Sequence, residues 1–214
     1  MRVAIAGGHG RVARILERLL VERGDAALGL IRNPDQAGDL REIGAEPVVC
    51  DLEAGDDIAA AVEGADAIVF AAGAGPGSGP QRKRSMDLGG ALKLIEAAKA
   101  RGIGRYLMVS SMGAADPPAE NGDVFGEYLR AKAEADRALA ASGLDYTIVR
   151  PGRLTDEPPS GRVEVAPRLG RGTVSRADVA GVLLACLDTP STIGKAFELL
   201  AGETPIETAL GALR

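Results

Sequence analysis

The chain has 214 residues, of which 46% are hydrophobic, 26% charged and 3% aromatic, and its formal net charge is −5. That length suits one packed α/β domain and is short for two. The acidic balance argues against wholesale nucleic-acid binding, and no apolar run approaches the length of a membrane span, so a protein with neither a nucleic-acid nor a membrane partner is expected. A strand begins within the first three residues, which predicts no signal peptide and a cytoplasmic protein. Cys50 and Cys186 have no second Cys or His at metal-ligand spacing; both are expected as buried apolar side chains, with no metal.

The first strand, residues 3–6, breaks into Gly7-Gly8-His9-Gly10-Arg11-Val12-Ala13 and then into an amphipathic helix. Gly7 can make a tight turn, Gly10 lets a pyrophosphate approach the backbone, and small Ala13 lets the helix pack close to the strand. An anion would sit on the free N–H groups of the helix that starts near Arg11. The spacing is G-x-x-G-x-x-A, a variant of the G-x-G-x-x-G dinucleotide turn, and such turns also arise for purely steric reasons. His9 lies inside the loop without an evident acidic partner, and only its backbone N–H is expected to take part.

Short apolar runs and helical periodicity then alternate. Helix 11–23, with Val12, Ile15, Leu16, Leu19 and Leu20 on one face, ends at Gly24. Strand 27–32 leads to a second helix begun by Asn33-Pro34, with Asn33 as its cap. Strand 47–51, helix 56–63 and strand 65–71 follow. The Gly/Pro-rich stretch 73–80 is expected to be the most flexible part of the chain. A long helix over 81–101, strand 106–110, helix 125–142 and strand 146–150 complete the pattern. Arg82-Lys83-Arg84 reads as a solvated helix start or as a phosphate or partner contact.

Right-handed crossovers between such units predict an α/β fold, a single-domain Rossmann-like doubly wound parallel sheet with helices on both faces. One domain spans 1–214, with 151–214 adding a strand (195–200), a short closing helix (205–210) and a small substrate-side lid. Ligands in such sheets lie at the carboxyl ends of the strands. Those ends carry Gly7 to Arg11, Arg32, Asp51-Leu52, Ala71-Ala72-Gly73, Ser110-Ser111 and Pro151-Gly152.

Arg32 ends the second strand, where an NAD-binding chain carries an acidic residue for the ribose 2′-OH. A guanidinium there can hold a 2′-phosphate bidentately, which favours NADP(H); the bland reading is an exposed strand-end arginine. Arg11 is either a second positive contact or an ordinary surface residue. Tyr128 and Lys132 stand at i and i+4, on one face of a helix. A positive charge beside a phenol stabilises the phenolate, making Tyr128 a usable general acid for a carbonyl that receives hydride. A hydroxyl from Ser110-Ser111 at the preceding strand end would share the carbonyl oxygen.

Gly7-Gly8-His9-Gly10, Arg32, Asp51-Leu52, Val109-Ser110-Ser111, Tyr128-x-x-x-Lys132, Thr147-Ile148-Val149-Arg150-Pro151-Gly152 and Ser175-Arg176-Ala177-Asp178-Val179-Ala180 occur together in order. The chain thereby resembles the atypical short-chain dehydrogenase/reductases, the NAD(P)-binding branch with flavin/biliverdin reductase-like proteins and NADP sensors. The resemblance implies that Gly7, Gly10, Arg11 and Val12 cradle the pyrophosphate, Arg32 the 2′-phosphate, and Asp51-Leu52 the adenine. It places Ala71, Ala72 and Gly73 along the ribose, Lys132 on the nicotinamide ribose, and Pro151-Gly152 beside the nicotinamide. Ser111 falls at the family's catalytic position. Some members lack the Tyr/Lys pair and are sensors or act without it, and Met112 makes the floor more apolar than a sugar site would want.

The candidate substrate walls are 154–171 and the loop 73–80. Arg153, Arg168 and Arg171, at or within the first, either bind an acidic acceptor or are solvated. So small a lid predicts an open pocket for quinones, flavins or small aldehydes, and with 3% aromatics no stacking platform for a flavin ring is evident. The expected function is NADP(H)-dependent hydride transfer to a small carbonyl or quinone-like acceptor. The alternative is a non-catalytic NADP(H)-binding redox sensor.

Overall fold

The computed structural model describes residues 1–75, 77–119 and 123–213. Its main sheet has nine strands: β1 (Arg2–Ala6), β2 (Ala26–Ile31), β3 (Glu46–Val49), β4 (Ala67–Phe70), β5 (Arg105–Val109), β6 (Asp145–Pro151), β8 (Arg162–Ala166), β10 (Lys195–Ala201) and β11 (Thr204–Pro205). Two short strands, β7 (Arg153–Thr155) and β9 (Thr173–Ser175), pair beside it. Along the main sheet the order is β11-β8-β10-β6-β5-β4-β1-β2-β3. The run from β3 to β6 is the doubly wound order, whose switch point lies between β1 and β4. These strands and β10 pair in parallel, while β8 and β11 add antiparallel pairs at the far edge.

The expected strands recur within a residue or two. The stretch 154–171, expected as a substrate wall, instead contributes β8 to the sheet: Val163 and Val165 alternate with Arg162 and Glu164, and Val163 is fully buried. Short period-two alternation inside a Pro/Gly-rich segment was the signal for it. Pro76, within the stretch expected to be most flexible, lies outside the described residues.

Strand side chains alternate between two cores. Val3, Ile5, Ala67, Val69 and Leu107 face α1 (Arg11–Arg23) and α7 (Arg176–Leu187), which pack together. Ala4, Ala6, Ile68, Phe70, Tyr106 and Met108 share the other core with α3 (Ile58–Ala61), α5 (Ala91–Ala100) and α6 (Val124–Ala140). A 3-10 turn (Pro34–Gln36), in which Asn33 accepts from the Asp35 N–H at 3.0 Å, precedes α2 (Ala37–Glu42). The long helix is continuous but not uniform: α4 (Pro80–Arg82) passes into a π-helical stretch, Lys83–Gly90, before α5. A short α8 (Ile206–Gly211) closes the chain. Cys50 and Cys186 are buried free thiols, and no metal-binding cluster exists among the described residues. No helix among them is long and apolar enough to cross a membrane.

Candidate functional site

The carboxyl ends of the central strands open into two adjoining clefts of about 320 and 510 Å³ that share Gly10 and Ala71 to Ala74. Gly7 turns the chain out of β1 with φ +81°, a left-handed conformation. A Cβ there would stand 2.7 Å from the Ala72 Cα, and one on Gly10 would stand 2.9 Å from the Gly7 carbonyl oxygen. The Gly10 N–H donates to that carbonyl at 2.7 Å, closing the turn. Gly10 then caps α1 without a side-chain hydrogen bond and no acidic residue stands in the first turn, so the helix presents its N–H groups and positive dipole end to the cleft. These backbone N–H groups, on a turn whose close packing only glycine allows, fit a dinucleotide pyrophosphate.

Gly8 lies deeper, where a Cβ would meet the Gly29 Cα at 2.6 Å. His9 does have an acidic partner, contrary to the sequence reading: its Nε2 lies 2.8 Å from Asp39 Oδ2 on α2, thirty residues away. Asp39 also approaches Arg14 at 3.6 Å, and the His9 hydrogen bond holds the Asp39 carboxyl below its ordinary value. Arg11 is paired with Asp156, which also holds Arg176 at 2.7 Å, so an ion-paired strap reaches from the end of β7 to the edge of the larger cleft.

The smaller cleft is lined by the strand-end residues Arg32, Asp51 and Leu52, and also by Gln36, Cys50, Arg82 and Met86, which the sequence reading does not place there. The Asp51 carboxylate accepts from the Glu53 N–H at 2.8 Å, shaping the loop after β3. The basic run does not form a simply solvated helix start. Arg82 reaches Glu53 at 3.2 Å, Lys83 donates to the Gly75 carbonyl at 2.8 Å, and Arg84 pairs with Glu127 and Glu134.

The larger cleft brings together Arg11, Val12, Ser110, Ser111, Tyr128, Lys132, Pro151 and Gly152. The Ser110 N–H donates to the Val149 carbonyl and the Met112 N–H to the Pro151 carbonyl, each within 3.0 Å, so both serines sit at the β5 end held against β6. Ser110 is buried, whereas the Ser111 hydroxyl donates only a long 3.3 Å bond to the Met112 carbonyl. Lys132 is almost wholly buried, and its ammonium is committed: it lies 3.3 Å from Asp87 Oδ1 and donates to the Val109 carbonyl at 3.1 Å. It stands 6.0 Å from the Tyr128 ring centroid and 5.3 Å from that of Phe70.

Asp87 was missed. It occupies the π-helical stretch, fully buried, and its second oxygen accepts from the Ala74 N–H at 3.2 Å. A usable signal existed: positions 87, 90, 91 and 94 form one buried stripe, so a carboxylate among them demanded a buried cation. Phe125 was missed as well. Exposed by 61%, it pairs with Tyr128 at 5.9 Å between centroids, and Lys83 Nζ stands 5.2 Å over the Tyr128 ring. An aromatic ledge therefore exists at the mouth despite the low aromatic content.

A doubly wound sheet with a glycine cradle at its switch point defines a dinucleotide-binding Rossmann protein, the fold of NAD(P)-binding oxidoreductases. A family model described as NAD(P)H-binding matches residues 7–190, and the chain belongs to that family; its cofactor is a nicotinamide dinucleotide. The uncharacterized sugar epimerase YhfK of Bacillus subtilis is 42% identical over 215 residues, covering all of both chains. A Bacillus halodurans structure described as a candidate NAD-dependent epimerase/dehydratase is 44% identical with a TM-score of 0.92, covering 98% of each chain. ChuY, an anaerobillin reductase of Escherichia coli O157:H7, is 26% identical with a TM-score of 0.80, covering 94% of this chain and 97% of its own.

Proposed function

We infer that the protein is an NADP(H)-dependent reductase of the short-chain dehydrogenase/reductase type, acting on a small carbonyl or quinone-like acceptor. The observation that supports this reading is one cleft lined both by the cradle residues Gly10, Arg11 and Val12 and by Ser111, Tyr128 and Lys132. Gly7, Gly8, the His9 N–H, Gly10, Arg11 and Val12 hold the pyrophosphate, and Arg32 takes the 2′-phosphate. Asp51 and Leu52 border the adenine, and Ala71, Ala72 and Gly73 follow the ribose. Ser110, Pro151 and Gly152 border the nicotinamide, which supplies the hydride when bound. Tyr128 donates the proton to the acceptor oxygen and Ser111 orients that oxygen. Lys132, fixed by Asp87 and the Val109 carbonyl, keeps positive charge beside Tyr128 and offers its remaining N–H to the ribose.

Residues 151–214 act as one piece with the rest of a single domain. They add β8, β10 and β11 to the sheet and α7 and α8 beside it, and among the described residues only a few, Leu154 and Arg176 among them, reach the cleft. So slight a lid favours a small or loosely held acceptor, and the ledge of Phe125 and Tyr128 favours a planar one.

NADPH oxidation measured across quinones, aldehydes, flavins and nucleotide sugars tests the reading. Tyr128→Phe is expected to lower kcat by about 10²-fold or more with unchanged NADPH affinity; full activity of the variant on every accepted substrate refutes the assigned chemistry. A second reading, an NADP(H)-binding sensor, draws on the commitment of the Lys132 ammonium to Asp87. It predicts tight NADPH binding with no turnover on any acceptor.

A further inference from the structure

We propose that Arg82 is a second cation of the 2′-phosphate site, and that Glu53, which bridges Arg82 and Arg32, is the carboxylate a 2′-phosphate displaces. The proposal rests on Arg32 as the 2′-phosphate residue and extends it to a different element and a built-in competitor. Arg82 Nε and Nη2 lie 3.3 and 3.2 Å from Glu53 Oε2, and Arg32 Nη1 lies 3.9 Å from the same oxygen. The other oxygen, Oε1, accepts from Ser85 Oγ at 2.6 Å. Both arginines line the cleft that also contains Gly7 and Asp51, whereas Glu53 does not line it.

The chemistry follows from charge. Two guanidiniums around one carboxylate leave one net positive charge, on residues that line the cleft. A phosphate monoester carries close to two negative charges near neutral pH and offers three acceptor oxygens, so it can take donors from both arginines at once. A ribose 2′-hydroxyl is neutral and leaves the Glu53 bridge in place. Glu53 therefore lowers affinity only for ligands that bear the 2′-phosphate, and Arg82 raises it only for those ligands. Ser85 keeps Glu53 close once its other oxygen has been vacated.

Calorimetric binding of adenosine 2′,5′-bisphosphate and of 5′-AMP isolates this site without any hydride chemistry, with thermal melting of each variant as the folding check. Arg82→Gln is expected to weaken the bisphosphate about tenfold and 5′-AMP less than twofold, with Arg82→Lys intermediate. Glu53→Gln is expected to tighten the bisphosphate about fivefold and leave 5′-AMP unchanged. Arg82→Gln binding both ligands as the parent does, or losing both equally, overturns the role of Arg82. Glu53→Gln weakening the bisphosphate, or not changing it, overturns displacement. Arg32→Gln separates the two levels: if it too fails to discriminate between the ligands, the underlying 2′-phosphate reading has failed, whereas discrimination by Arg32→Gln alone sinks only the present proposal.

Discussion

Glu17 sits on the buried face of α1 with no exposed surface, and neither carboxylate oxygen has a hydrogen-bond partner. Its surroundings are the bare Cα atoms of Gly8 and Gly29, where an added Cβ would stand 2.9 and 2.5 Å from Glu17 Oε1, with Leu40 closing the space over Gly29. Burial pushes its carboxyl from 4.5 up to about 8, against a smaller opposing effect of Arg14. The folded protein thus keeps a proton that the unfolded chain gives up above pH 4.5, so folding stability falls as pH rises from about 4.5 to 8 and the penalty is complete above 8. Integrating between these two values gives a loss of about 2.5 kcal/mol between pH 5 and pH 7 from this residue alone. Glu17→Gln keeps the shape and cannot ionise. Urea denaturation of parent and variant at pH 5, 6, 7 and 8 should show the stability difference growing steadily in favour of the variant. A difference that stays constant over that range means that Glu17 is charged and compensated in the fold, and the burial argument is wrong.

The remaining predictions concern the two clefts. NADPH should raise the melting temperature more than NADH at equal concentration, and Arg32→Asp should abolish that preference while sparing NADH; equal loss of both sinks the 2′-phosphate assignment. Gly7→Ala must place a Cβ 2.7 Å from the Ala72 Cα at φ +81°, so it should cost on the order of 1–3 kcal/mol in urea denaturation and remove the melting shift caused by NADPH. Lys132→Met strands Asp87 as a lone buried carboxylate and should cost about 3–5 kcal/mol, much of which Asp87→Asn in the same chain should restore. A double variant no more stable than Lys132→Met would show that the two groups are not energetically coupled.

What was legible in the sequence is what repeats locally. Strand and helix order, the Asn33 turn, the αL glycine at Gly24 and the crowding of chemistry-bearing residues at strand ends all follow from short-range periodicity and glycine geometry. The helix α1 shows the limit. Apolar periodicity put Val12, Ile15, Leu16, Leu19 and Leu20 on the core face, and all five pack there, Ile15 and Leu19 only partly buried; what periodicity could not show is that Ala13 and the carboxylate of Glu17 are buried beside them, against the glycines opposite. The partners in the site were not legible, since each pair is long-range: His9 with Asp39, Arg82 with Glu53, Lys132 with Asp87. No spacing rule connects residues whose neighbourhood is set by sheet order.

The segment from Pro80 to Ala100 carries two of those pairs and the Lys83 contact with Tyr128 at once, and its geometry explains how. Arg82 reaches the cleft at the β2 and β3 ends, Lys83 stands over Tyr128, and Asp87 meets Lys132 beneath the β5 end. A regular α-helix places residues 83 and 87 on one face. The π-helical stretch Lys83–Gly90 changes that phase, so Lys83 remains at the mouth while Asp87 turns fully inward and Met86 borders the smaller cleft. The inward turn places Asp87 where the Gly73-Ala74 backbone and the Lys132 ammonium both reach it, and a Cβ on Gly73 would already crowd its carboxylate at 3.2 Å. The widened turn is therefore the element through which a single helix touches the Arg32 end and the Tyr128 end of the two adjoining clefts.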